Sequence, residues 1–285
     1  MLPQAASFAS ASGEPLVIAE AVGKIYYGRE GAIEAISSAS LMVDRGEFVS
    51  LLGPSGCGKS TLLMIIAGLE PPSRGRVILD GMPVTRPRRD IGIVFQDATL
   101  LPWKTALENV LFPIRMLKLP IEKYRERAHE LFETVGLKGF ENKKPAQLSG
   151  GMRQRVSICR ALIHDPSILL MDEPFSALDA ITRDQMNVVL SELLETYKKT
   201  VVFVTHSIRE AAFLSDRVFI MGGRPSSIIL DLSMPFPRPR SFDIEDTAEF
   251  ARICRRLRLT VEDAHTGQSG PQMQRQPPTP APHQL

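Results

Sequence analysis

The 285-residue sequence contains few cysteines, and their arrangement does not suit a metal site. Cys57, Cys159 and Cys254 lie far apart, whereas zinc sites use closely spaced ligand pairs. An odd number of scattered cysteines, in a chain without a secretory leader, is typical of reduced thiols in the cytosol. We therefore expect neither a disulfide framework nor a zinc centre.

The sequence also lacks a hydrophobic run long enough to cross a membrane. A membrane helix needs roughly 20 apolar residues, and the richest runs here, residues 62–69 and 200–205, are interrupted or short. Residues 1–15 have no basic region followed by an apolar one, so they do not resemble a signal peptide. We expect a chain that is soluble by itself and that reaches a membrane only through a partner.

Neither sign of charge dominates the composition. The 34 Lys and Arg residues stand against 32 Asp and Glu residues, which leaves a formal net charge of +2. A nucleic-acid binder usually shows a basic excess, so this balance argues against nucleic acid as a partner. The sequence shows no repeat of a fixed period, which excludes a solenoid.

The chain is predicted to form one α/β domain between two tails. Residues 1–15 are rich in small side chains and are expected to be flexible. Residues 267–285 are rich in Gln and Pro and contain too few apolar side chains to fold, so we expect disorder. Between them, over residues 16–266, strands alternate with helices, which predicts a largely parallel sheet covered on both faces. A helical, strand-poor stretch at about 97–165 is expected to be a subdomain inserted into this core.

The first three predicted strands, at residues 16–21, 33–43 and 47–52, precede that alternation. We expect the early strands to add an antiparallel section to the sheet. Within the helical stretch, Thr105 and Glu108 have the spacing of a capping box and predict the start of a helix.

Residues 53–60, GPSGCGKS, match the phosphate-loop pattern G-x-x-x-x-G-K-[ST] between a predicted strand and a predicted helix. Glycines let backbone N–H groups surround phosphate oxygens, and the N-terminus of the following helix favours an anion. Lys59 is expected to neutralise the β- and γ-phosphates, and Ser60 to offer its hydroxyl to Mg²⁺. The residues expected to bind the nucleotide are Gly53, Pro54, Ser55, Gly56, Cys57, Gly58, Lys59, Ser60 and Thr61. An adduct on Cys57 is therefore expected to block nucleotide entry.

Two acidic residues follow the apolar run at residues 167–171. Asp172 is expected to hold Mg²⁺ through water, as in other enzymes with a phosphate loop. Glu173 is then placed to polarise the attacking water as a general base. A strand that ends in two acids is common, and it is the upstream phosphate loop that favours the catalytic interpretation.

A third motif, LSGGMRQR at residues 148–155, lies at a predicted helix start that Ser149 can cap. Together with the phosphate loop and the acidic pair, it resembles the signature loop of ABC transporter ATPases. The resemblance implies an ABC ATPase fold, a P-loop NTPase core with ATP and Mg²⁺ as its ligands. It also implies that Ser149, Gly150 and Gly151 bind the γ-phosphate held by a second cassette.

The family resemblance implies roles for four further residues. Tyr26 resembles the aromatic residue that stacks on adenine, although Tyr27 could also do so and a purely structural tyrosine remains open. Gln96 resembles the glutamine that senses Mg²⁺, and Asp179 lies in a loop, SALD, that crosses the dimer interface. His206 resembles the switch histidine that contacts the γ-phosphate.

The catalytic residues implied in this way are Glu173, His206, Lys59 and Gln96, and the metal ligands are Ser60, Gln96 and Asp172. The sequence departs from the common family pattern at Met152, where glutamine is frequent, and at Ser207, where aspartate often follows the histidine. Neither position carries phosphate chemistry, and Ser207 can still cap the next helix.

The resemblance spans residues 16–262, and within the family three segments are similar to ATPase subunits of nitrate, sulfonate and taurine importers. They are LLPW at 100–103, PFSALDAITR at 174–183, and PFPRPR at 235–240 followed by an Arg-rich helix. This implies uptake of a small anion, with transmembrane permease subunits, a second ATPase cassette and an extracytoplasmic substrate-binding protein. A homodimer of cassettes is expected, although the sequence leaves the identity of the second cassette open. The chain would then lie at the cytoplasmic face of the cell membrane.

One alternative is a soluble ABC ATPase without a transport role. Sustained heptads for coiled-coil arms are absent, and a single phosphate loop is present, which disfavours DNA-repair and translation roles. A role in Fe–S assembly remains open. The sequence also leaves open whether Trp103 belongs to the core or to a docking surface for the permease.

Overall fold

The computed structural model describes residues 15–29 and 31–266. The two predicted tails lie outside these residues, except that Pro15 already belongs to the first strand. The strands are β1 (Pro15–Gly28), β2 (Gly31–Asp44), β3 (Phe48–Leu52), β4 (Arg74–Leu79), β5 (Met82–Pro83), β6 (Ile91–Val94), β7 (Ile168–Asp172), β8 (Thr200–Thr205), β9 (Arg217–Gly222) and β10 (Ser226–Ser233). The helices are α1 (Lys59–Ile66), α2 (Ala106–Val110), α3 (Phe112–Met116), α4 (Glu122–Thr134), α5 (Gly150–Leu162), α6 (Ala180–Tyr197), α7 (Ile208–Leu214) and α8 (Ala248–Thr266).

All ten strands join one sheet in the order β5-β4-β1-β2-β10-β9-β3-β8-β7-β6. Within the run β9-β3-β8-β7-β6, adjacent strands are parallel, and β3 lies between β9 and β8. The strands β1, β2, β4 and β5 pair antiparallel with one another, and β10 joins the two sections by pairing parallel with β2 and antiparallel with β9. The structure therefore confirms a largely parallel core with an antiparallel addition from the early strands.

The central strands are buried on both faces, which explains why they appear in the sequence as continuous apolar runs. Along β7, Leu169 and Met171 pack into the core on one face, with the helices α4 to α6. Ile168 and Leu170 pack into a second core on the other face, with α1. Both faces of the sheet are thus covered, as the alternation of strands and helices predicts.

The segment between β6 and β7 contains α2 to α5 and a short 3₁₀ turn at Pro145–Gln147. The capping box at its start is present: Glu108 N–H donates to Thr105 Oγ1 at 3.2 Å, and Thr105 N–H donates to Glu108 Oε2 at 2.9 Å. This helical insertion agrees with the expected ABC ATPase architecture. Across residues 15–29 and 31–266, no helix combines the length and apolarity needed to span a membrane.

The sheet differs from the sequence-based prediction at β1, at β10 and at the two-residue strand β5, which lies where no strand was predicted. β1 continues to Gly28, beyond the expected end at 21, because its pairing with β2 shifts register between Ala19 and Val22. Ala21 has a φ of 46° at this irregularity, which breaks the alternation that the prediction used. β10 was not predicted: most of its residues are only half-buried, so no continuous apolar run marks it.

Candidate nucleotide-binding site

The phosphate loop connects β3, in the middle of the parallel strands, to the helix α1. Gly56 and Gly58 have φ values of 76° and 88°, a region that favours glycine. A Cβ on Gly53 would lie 2.3 Å from the carbonyl oxygen of Met221, so that position is closed to larger residues. The loop conformation thus requires the glycines that the motif contains.

Lys59 is buried at the first turn of α1, with 4% of its surface exposed. Its ammonium group donates to the carbonyl oxygens of Gly53 and Pro54, both at 2.9 Å, and so closes over its own loop. The N-cap residue Gly58 provides no side-chain hydrogen bond to the start of α1. A cation and a helix N-terminus without a side-chain cap therefore lie together, which is the combination that binds phosphate.

Ser60 and Asp172 bring oxygen ligands together beside that loop. Ser60 Oγ donates to Asp172 Oδ1 at 2.8 Å across the ends of two neighbouring elements. Burial raises the pKa of Asp172, and the nearby carboxylate of Glu173 adds to this rise, whereas Ser60 and Lys59 oppose it. A cation bound here would relieve that unfavourable environment.

The residues expected to hold Mg²⁺ suit such an ion. A hydroxyl, a carboxylate and the amide oxygen of Gln96 are the hard ligands that Mg²⁺ prefers, and it usually takes only one or two carboxylates besides substrate phosphates. Gln96 is exposed two residues beyond β6, the strand that pairs with β7 and its terminal Asp172. Within the described ranges, no group of three or more His, Cys, Asp or Glu side chains forms a metal cluster by itself.

Glu173 and His206 face each other at the ends of two adjacent strands, β7 and β8. His206 Nδ1 lies 2.9 Å from Glu173 Oε2. Glu173 has a φ of 45°, in the left-handed region, and its N–H donates to the carbonyl oxygen of Val204 at 3.0 Å. Strained backbone of this kind is frequent at functional sites, and here it occurs at the residue whose carboxylate contacts His206.

Tyr26 lies close to Thr61, which follows the phosphate loop in the first turn of α1. Its hydroxyl is 3.4 Å from Thr61 Oγ1, and the Lys24 ammonium lies 5.0 Å from the centre of its ring. Successive side chains of a strand point to opposite faces, so Tyr27 does not share this contact surface. Tyr26 is 40% exposed, which leaves ring surface for a ligand. Of the two tyrosines, the geometry favours Tyr26 for adenine.

The remaining predicted residues form a separate cluster. Ser149 Oγ accepts from Met152 N–H at 3.2 Å and caps α5, as expected. Asp179 accepts from both the N–H and the hydroxyl of Thr182, at 3.0 and 2.7 Å, at the start of α6. These bonds, led by that from the Thr182 N–H, lower the pKa of Asp179. A Cβ on Gly151 would lie 2.7 Å from Thr182 Cγ2, so the starts of α5 and α6 are adjacent.

Apart from Gln96, which lies two residues beyond β6, the structure gathers the predicted residues into two groups. One contains the phosphate loop with Tyr26, Asp172, Glu173 and His206. The other contains Ser149, Gly150, Gly151 and Asp179, whose side-chain hydrogen bonds stay within the first turns of α5 and α6. Ser207 accepts from Glu210 N–H at 3.3 Å and caps α7, as predicted.

Two expectations change once exposure is known. Cys57 is only 3% exposed, and burial raises the pKa of its thiol. A thiol reagent therefore cannot reach Cys57 easily in this conformation. This differs from the expectation that an adduct on Cys57 would form and block nucleotide entry. Trp103 is 68% exposed, which excludes a core role.

A glycine-rich loop between the strand β3 and the helix α1, with two carboxylates at the end of the parallel strand β7, one strand removed from β3, defines a P-loop nucleotide-binding site. Comparison with known proteins narrows this class. Residues 36–176 match the family model described as ABC transporter. A taurine import ATP-binding protein of Burkholderia pseudomallei is 46% identical over 220 residues, which is 77% of this chain and 85% of that protein.

Another relative is also an import ATP-binding protein, and a solved structure is an ATP-binding cassette. An aliphatic sulfonates import ATP-binding protein of Bacillus cereus is 42% identical over 223 residues, covering 77% of this chain and 87% of that protein. A dimeric ATP-binding cassette solved with ADP and Pi superposes with a TM-score of 0.67 at 38% identity, covering 76% of this chain and 98% of the other. The chain belongs to the family of ABC transporter ATP-binding proteins. It is an ATP-binding ATPase of that family.

The motifs did not reveal Thr205, Arg183 and Glu210, which surround the Glu173–His206 pair. Their only signal in the sequence is position, because each lies next to a motif loop or in the first turn of the helix that follows one. Charged residues in a first helical turn are too common for that position to be distinctive.

Proposed function

We propose that this chain is the ATP-hydrolysing subunit of an importer for small anions, and that the anion is a sulfonate or taurine rather than nitrate. The identity to taurine and sulfonate import proteins, extending over at least 85% of their lengths, is the observation that supports this function. The exposed aromatic residue on the inserted helical segment supports a membrane partner.

Nucleotide binding begins with Lys59. Its ammonium group exchanges the carbonyl oxygens of Gly53 and Pro54 for oxygens of the β- and γ-phosphates, which carry full negative charge and bind it more strongly. The backbone N–H groups of the loop and the start of α1 surround the same phosphates. Tyr26 stacks on the adenine.

Ser60, Asp172 and Gln96 would hold Mg²⁺, which when bound neutralises charge that develops on the phosphates. Glu173 accepts a proton from the attacking water as the water oxygen bonds to the γ-phosphorus and the bond to the β-phosphate oxygen breaks. His206, already 2.9 Å from Glu173, orients that carboxylate and reaches the γ-phosphate. These are positioning and electrostatic effects, which dominate phosphoryl transfer.

The second group of residues supports a two-cassette arrangement. Ser149, Gly150 and Asp179 are exposed, and the neighbouring Ile181 is 74% exposed. In the proposed dimer, the N-terminus of α5 in one copy approaches the γ-phosphate bound by the other copy. Each nucleotide site is then complete only when the start of α5 from the partner chain contacts the bound γ-phosphate. Two identical chains thus enclose two ATP molecules.

Trp103 is proposed to contact the transmembrane permease. It lies in a turn closed by the Lys104 N–H to Leu101 oxygen bond of 3.1 Å. Buried Asn109 holds this turn by accepting from Leu101 N–H at 2.7 Å and donating to three carbonyl oxygens of the same segment. A rigid turn with an exposed aromatic residue is well suited to an interface. The chain would thereby sit at the cytoplasmic face of the membrane, below an extracytoplasmic substrate-binding protein.

Purification of the tagged chain from its native membranes tests this proposal. We expect a multispanning permease to co-purify, and the reconstituted complex to take up labelled taurine or an alkanesulfonate when MgATP is supplied on the cassette side. Uptake of nitrate alone would leave the importer class intact but reject the substrate. Recovery only of a soluble complex, such as an Fe–S assembly machinery, would reject the importer.

A further inference from the structure

An ion pair between a half-buried arginine and a buried glutamate connects the two segments that carry Glu173 and His206. Arg183, in the first turn of α6, places its Nε 3.6 Å from Glu210 Oε1, in the first turn of α7. Glu210 is only 5% exposed. Isolated buried charges are costly, so this pair requires an explanation that the mechanism above does not give.

Arg183 holds the loop that follows Glu173. Its guanidinium group donates to three carbonyl oxygens of that loop: those of Phe175 at 3.3 Å, Ser176 at 3.5 Å and Leu178 at 2.9 Å. This loop runs from Glu173 to Asp179. One side chain thus fixes the path of the backbone between the proposed base and the residue expected at the dimer interface.

Glu210 holds the turn that contains His206. Its Oε2 accepts from Thr205 Oγ1 at 2.6 Å, and the same Thr205 oxygen accepts from Ser207 N–H at 2.9 Å. Residues on both sides of His206 are therefore fixed through one carboxylate. Burial raises the pKa of Glu210, and the Thr205 hydroxyl and Arg183 oppose that rise.

We propose that Arg183 and Glu210 are positioning residues for ATP hydrolysis, which hold the Glu173 loop and the His206 turn in one fixed relation. The inference rests on the proposed function, because it takes Glu173 as the base and His206 as its partner. The two oxygens of a single carboxylate connect the two segments, one through Arg183 and the other through Thr205.

Two variants test the connection in the full-length protein. Glu210→Gln keeps the side-chain shape but removes the ion pair, and Thr205→Val removes the hydroxyl bridge without touching the buried charge. We expect each to lower kcat by roughly 10- to 100-fold, since a small displacement of a catalytic group has effects of that size. The KM for ATP is expected to stay within about twofold, because the phosphate-binding residues are untouched.

Arg209→Gln is the matched control. Arg209 lies next to Glu210 in α7 and also pairs with α6, through Asp184 at 3.6 Å, and with Glu245 at 2.5 Å. It bonds outside the two catalytic segments, so its loss is expected to leave kcat unchanged. If the α6–α7 contact served only to stabilise the fold, the activity of all three variants would fall in proportion to the decrease in their melting temperatures.

The outcomes separate this inference from the function on which it rests. Unchanged kcat in Glu210→Gln and Thr205→Val, or an equal loss in Arg209→Gln, would overturn the positioning role. Should Glu210→Gln melt too low for assay, Thr205→Val decides alone, because it leaves both charges in place. Full activity in a Glu173→Gln variant would instead reject the assignment of the base and with it the proposed mechanism.

Discussion

Replacement of Trp103 by alanine tests whether the inserted helical segment docks onto a membrane partner. The side chain is 68% exposed, so its loss removes little buried surface. Exposed substitutions away from caps and networks usually change the free energy of unfolding by less than about 0.5 kcal/mol. A core tryptophan would have cost roughly 3–5 kcal/mol. We therefore expect an unchanged melting temperature and unchanged ATPase activity for the isolated chain.

The effect should appear on assembly. Central aromatic residues of an interface often contribute 2 kcal/mol or more, which corresponds to about a 30-fold weaker affinity. Binding of the chain to detergent-solubilised permease, followed by ATP-driven uptake, measures this loss. Met82→Ala is the control: it removes another apolar side chain, 58% exposed, from the opposite end of the sheet. Normal assembly of Trp103→Ala, or an equal loss in Met82→Ala, would refute the docking role.

Three further predictions concern the nucleotide site. Lys59→Ala should abolish tight binding of labelled ATP with Mg²⁺ in an equilibrium titration, since the phosphates lose their buried cation; unchanged affinity would mean that the loop is wrongly assigned. Ser149→Ala should lower the free energy of unfolding by about 1 kcal/mol, because α5 loses its cap. It should also lower ATPase activity by more than that loss of stability explains, because Ser149 completes the nucleotide site of the partner cassette. A loss of stability with normal ATPase activity would contradict this role. Thiol labelling of Cys57 should be slow at pH 7 and accelerate only above the ordinary pKa of a thiol, because burial raises the pKa of Cys57 and leaves less thiolate. Half-buried Cys254 should be labelled before Cys57. Rapid labelling of Cys57 would show that the loop opens.

The parallel core and the phosphate loop were predictable because local patterns specify them. Apolar runs such as β7 and β8 are buried on both faces, and the glycine positions follow from φ values that few other residues adopt. The caps at Thr105 and Ser149 were equally predictable, since each hydrogen bond joins residues three positions apart.

The rest of the site depends on contacts between distant parts of the chain. The Ser60–Asp172 bond joins residues 112 positions apart, and no local pattern gives its geometry. The burial of Cys57 and the exposure of Trp103 are likewise set by tertiary packing. Glu210 is a charged residue in an ordinary helix start, and only the folded structure shows that both of its carboxylate oxygens connect catalytic segments.

Uptake driven by the native complex in proteoliposomes tests the central claim most directly. Vesicles containing the permease and the wild-type chain, with the substrate-binding protein on the outside and MgATP enclosed on the cassette side, should accumulate labelled taurine or an alkanesulfonate. The same vesicles with Glu173→Gln should bind MgATP but accumulate no substrate, because the general base for hydrolysis is lost. Accumulation at the wild-type rate with Glu173→Gln, or no ATP-dependent accumulation of any small anion by the wild type, would contradict the account.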